Sequence, residues 1–142
     1  MIAYIFRGSL LALVVAAFLV GGRTERLVAT AYALAAVSSE VLRSTVSVRY
    51  HQLELGVFLV DLLLLAALLT VSLRSETRWP LCATALQIVT VLGHVAKLLK
   101  PEIWPLAYAW MMQASSFPSL AVLAFGIATS RRRRAKHARS NS

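Results

Sequence analysis

The side chains of this 142-residue chain that could do chemistry fall into two stripes. His51, Glu54, Phe58 and Asp61 are spaced i, i+3, i+7, i+10, which places them along one side of a helix that starts at Tyr50. Gln87, Thr90, His94 and Lys97 repeat that spacing. Both stripes run through apolar sequence, so their polar groups should turn toward one another or toward a water-filled cavity, away from lipid. Asp61 with His94 is the first expected pair. Asp61 with Lys97 is the second, because lysine reaches along its stem. Burial disfavours charge on a carboxyl and on an imidazole alike. Such a pair therefore either fixes which helix faces meet or passes a proton. Imidazole and carboxylate also suit zinc or a similar ion, which makes His51, Glu54, Asp61 and His94 a candidate metal set. Haem ligation by His94 with Met111 or Met112 is a further alternative, on ligand type alone.

The rest of the sequence must position these groups. Hydrophobic residues make up 58% of the chain and charged residues only 15%, against about 25% in an ordinary soluble domain. The apolar residues come in blocks too long to hide in the core of a chain this size, which buries roughly two-thirds of its surface. The composition thus predicts an all-α transmembrane helical bundle and excludes a disordered chain or a disulfide-stapled secreted domain. A span needs roughly 20 mostly apolar residues. Segments 2–20, 55–73, 80–99 and 103–129 meet that length. Arg7 interrupts the first and lies close enough to its end to snorkel. This first segment is expected to be a retained helix, because residues 18–22 lack a small-x-small cleavage pattern. Segment 27–42 is shorter, about 24 Å as a helix. Ala29, Ala33 and Ala36 share one of its faces with Glu40, and small residues at helical spacing let helices approach closely. That face favours a packed fifth span over a surface helix, leaving four spans as the alternative.

Pro80 suits the first turn of a helix. Pro118 should bend the last span, with Ser115 and Ser116 one turn back to satisfy the freed backbone. Trp79 and Trp104 are expected to mark membrane interfaces. The single cysteine, Cys82, is expected to be a packing residue.

Six of the fifteen Lys and Arg lie in the last twelve positions: Arg131, Arg132, Arg133, Arg134, Lys136 and Arg139. Residues 1–130 are thus read as one bundle, and 131–142 as a disordered cytoplasmic tail that touches anionic head groups. No aromatic residues interleave the basic run, so nucleic acid is not an expected partner. With five spans and the tail inside, ten basic residues face the cytoplasm and five face outside; with four spans the split is nine to six. Five spans put the N-terminus outside. Asp61 then lies about 9 Å below the outer surface and His94 about 7 Å. Glu40, Gln87, Lys97 and Gln113 could join them in one polar cluster in the outer half of the bilayer.

No GxSxG, glycine-rich phosphate loop, HExxH, CxxCH or paired acidic motif occurs, so an enzyme is not expected, nor a cofactor. Val60-Asp61-Leu62-Leu63-Leu64-Leu65, the run from Leu73 to Leu81, and Ile103-Trp104-Pro105-Leu106-Ala107-Tyr108-Ala109 together resemble a group of small, uncharacterised proteobacterial inner-membrane proteins. The resemblance covers about residues 50–130. It implies a bacterial cytoplasmic-membrane location and brings no activity with it. The leading expectation is a non-catalytic accessory or structural subunit of a larger membrane complex, bound to a membrane-protein partner or to further copies of itself. A small oligomeric proton- or ion-coupled transporter using Asp61 and His94 is the alternative. A holin-like protein is a third.

Overall fold

A computed structural model describes the backbone of residues 2–45, 50–100 and 105–140, and the side chains of 4–42, 55–100, 117–133 and 135–138. Five helices account for nearly all of it: α1 (Ile2–Val20), α2 (Arg23–Thr45), α3 (Tyr50–Arg74), α4 (Trp79–Leu99) and α5 (Pro105–Ser140). Leu, Ala and Val dominate each apolar run, and no strand occurs among the described residues.

The turns follow from local chemistry. Gly21 and Gly22 separate α1 from α2. The Gly21 amide closes the last turn of α1 by donating to the Ala17 carbonyl at 2.9 Å. A Cβ on Gly21 would lie 2.4 Å from that carbonyl oxygen and 2.9 Å from the Glu25 Cβ, so only glycine fits. Glu25 is buried and accepts a hydrogen bond from the Gly22 amide at 2.8 Å, which helps begin α2. Between α3 and α4, the Thr77 amide donates to the Ser75 hydroxyl at 3.1 Å. Pro80 then occupies the first turn of α4, as expected.

Each helix packs on its neighbours in sequence, and α1 also packs on α5, which closes the bundle into a ring. Ala17, Val28, Ala29, Leu68, Ala83 and Leu123 are fully buried at its centre. Three of these six are alanines, which let the helix backbones come close. Ala36 packs at the edge of this core and Ala33 is half-buried.

Trp79, at the start of α4, is buried inside the bundle. The reason is Gly126 on α5: a Cβ there would sit 2.5 Å from the indole Cε2, so the missing side chain is the space the ring fills. Trp104 lies outside the described residues.

Among the described residues, two helices are long and apolar enough to cross a membrane, Leu55–Arg74 with mean hydropathy 2.4 and Trp79–Leu99 with 1.5. Only 17% and 33% of those stretches are buried, unlike the core helix of a soluble protein, whose surface is mostly covered. Tyr4–Val20 is a shorter apolar stretch. The apolar run of α2 is bounded by Arg26 and Glu40. Large side chains such as Tyr4, Leu19, Leu34, Leu63, Leu73, Leu99 and Phe125 point outward.

Candidate functional site

Gln87 and His94 are seven residues apart on α4, two turns along one face, and that face meets α3 at Asp61. His94 Nε2 lies 2.8 Å from Asp61 Oδ2. Gln87 Nε2 donates to the other carboxyl oxygen, Oδ1, at 3.0 Å and to the Asp61 backbone carbonyl at 3.2 Å. Both carboxyl oxygens are therefore held from the neighbouring helix. The Phe58 ring, almost one turn before Asp61, tilts against the imidazole at 5.8 Å and 53°. The His94 side chain is 7% exposed and that of Asp61 18%. At 2.8 Å the imidazole nitrogen and the carboxyl oxygen are at hydrogen-bond distance. The arrangement can therefore hold or relay one proton, and it ties α3 to α4.

A second rung crosses the same seam. The hydroxyls of Ser72 and Thr84 meet at 2.8 Å, and each is also within reach of a carbonyl in its own helix, Leu68 for Ser72 and Pro80 for Thr84. Two hydroxyl hydrogens serve three contacts, so the link between helices and one of the two carbonyl bonds form at a time. Neither Ser72 nor Thr84 belongs to the two stripes named from the sequence, yet both extend them. Ser72 is eleven residues from Asp61, three turns along the same stripe, and Thr84 precedes Gln87 by three. Glu25 is a further polar residue of this kind, three after Gly22 at a capping spacing.

Other expected members of the cluster lie elsewhere. Glu40 pairs with Arg7 of α1, both side chains half-exposed, and so does not join Asp61. The face that carries Glu40 meets α1 at Arg7. Lys97 is half-buried one turn beyond His94 and does not reach Asp61, whose carboxyl is held by Gln87 and His94. The side chains of His51, Glu54, Met111, Met112, Ser115, Ser116 and Gln113 lie outside the described residues. Among the described residues, no three His, Cys, Asp or Glu side chains cluster closely enough to hold a metal.

Cys82 is exposed instead of packed, because its side of α4 opens onto a groove beside α5. The basic segment, expected to be disordered, continues α5 as helix to Ser140. Arginine, alanine and lysine favour helix, and the His137 Nδ1–H donates to the Arg133 carbonyl one turn back at 2.9 Å. Arg131, Arg132, Arg133 and Lys136 are exposed; the side chains of Arg134 and Arg139 lie outside the described residues.

Comparison of the chain with protein-family models, with curated proteins and with solved structures found no match.

Proposed function

We propose that this chain is a multi-pass protein of the bacterial cytoplasmic membrane, and a non-catalytic accessory or structural subunit of a larger membrane assembly. All five helices span in this reading. The N-terminus is outside, and the basic C-terminal helix meets anionic head groups in the cytoplasm. The observation that carries it is the division of surface on α3 and α4. On their facing sides Asp61 bonds to Gln87 and His94, while most of the surface of both helices is apolar and faces outward. Such a surface suits acyl chains or another membrane helix. The bracketed carboxyl of Asp61 fits a lock that keeps two helices in register, since both of its oxygens are already engaged.

Affinity purification in mild detergent tests the reading. A subunit brings down one partner in fixed ratio, whereas a chain recovered only as a monomer contradicts it. Cysteine accessibility at positions 23 and 43, in a chain whose Cys82 is replaced, tests the topology. Five spans expose position 23 to the cytoplasm and position 43 to the outside.

The direct Asp61–His94 contact favours a second reading, a proton-coupled transporter made by several copies. Asp61→Asn separates the two. Loss of proton flux with normal insertion and assembly supports transport, and unchanged partner binding with no flux to lose supports the subunit.

A further inference from the structure

A shallow groove runs between the start of α4 and the last apolar turns of α5, lined by Arg78, Trp79, Cys82, Ala121, Val122 and Phe125. Its walls are almost wholly apolar, with Arg78 as the cation at one end. Cys82 and Phe125 are exposed along it, so the groove opens sideways.

The α5 wall continues past the groove. Val122, Phe125, Thr129, Arg132 and Lys136 follow one another at spacings of three and four, so they share one side of the helix. Since α5 stays helical to Ser140, that side passes from apolar to cationic without a break. Arg132 lies seven residues past Phe125, about 10 Å along the axis. Side chains on a helix lean toward its N-terminus, and an arginine stem is long enough to bring the Arg132 guanidinium back toward the Arg78 end of the groove.

A ligand for this surface has an apolar body below and negative charge above. Inorganic phosphate lacks the body, and a neutral lipid lacks the charge. We propose that the groove binds an anionic phospholipid of the cytoplasmic leaflet, acyl chain against Trp79, Val122 and Phe125 and phosphate between Arg78 and Arg132. The inference rests on the membrane-spanning reading above and deepens it by naming a site and its ligand.

Cys82 is the chain's single cysteine and reports from inside the groove. The full chain is placed in vesicles of phosphatidylcholine alone or with phosphatidylglycerol, and maleimide labelling of Cys82 is timed. Phosphatidylglycerol should slow labelling, and R78Q/R132Q should abolish the difference, each lost cation weakening lipid preference about fivefold. Native mass spectrometry of the unaltered chain from mixed micelles should retain phosphatidylglycerol over phosphatidylcholine. Equal labelling in both lipids, or a difference that survives R78Q/R132Q, overturns the site. Protection that depends on protein concentration and not on lipid also overturns it, by placing a second copy in the groove. A chain that alkaline carbonate strips from membranes defeats the membrane-spanning reading itself. A carbonate-resistant chain with lipid-indifferent Cys82 defeats only this inference.

Discussion

The two helix pairs α3–α4 and α1–α2 each join a carboxylate to a cationic or imidazole group, and the settings differ. Asp61 and His94 meet in the interior, with Gln87 engaging the second oxygen of the carboxyl. Arg7 and Glu40 meet at the surface, half-exposed on both sides. The surroundings solvate the exposed pair whether or not it forms, so its net contribution is small. The interior groups have no such substitute, so each depends on the other. The α1–α2 pair is instead positioned by sterics: a two-glycine turn and the fit of Gly21 against Glu25. Polar contacts define one pair and backbone approach defines the other.

That contrast can be broken by substitution. Asp61→Ala or His94→Ala strands a buried partner and should cost about 3–5 kcal/mol in detergent unfolding, while an apolar replacement of Asp61, Gln87 and His94 together should recover most of it. Gly126→Ala drives a methyl into the Trp79 ring and should cost about 1–3 kcal/mol. Combining it with Trp79→Leu should relieve the clash, which thermal melting of both variants checks. Ser72→Ala removes one hydroxyl of the second rung and should cost about 1 kcal/mol. Arg7→Gln should cost at most about 1 kcal/mol and lose its effect in high salt. A larger loss for Arg7→Gln than for Asp61→Ala would invert the comparison.

Much of the α3–α4 seam was legible because helical spacing alone brings Asp61, Gln87 and His94 to facing sides. Helix positions were legible too, from apolar runs punctuated by Gly21-Gly22 and Lys100-Pro101. What spacing could not supply was the partner of a residue whose neighbours come from a different helix. Glu40 sits on the expected face of α2, but Arg7 of α1 lies across from it, and sequence periodicity says nothing of which cation is nearer. The burial of Trp79 was hidden for a related reason: the glycine that makes room for its ring, Gly126, is 47 residues away. The basic tail read as disordered, although arginine, lysine and alanine are good helix formers and the apolar part of α5 already nucleates the helix.

Asp61 and His94 touch inside the bundle, and that contact joins α3 to α4. A double-mutant cycle of Asp61→Ala and His94→Ala, read by unfolding in detergent, tests it most directly. Direct contact predicts a coupling of about 1–3 kcal/mol between the two substitutions. Losses that simply add, within about 0.5 kcal/mol, would contradict it.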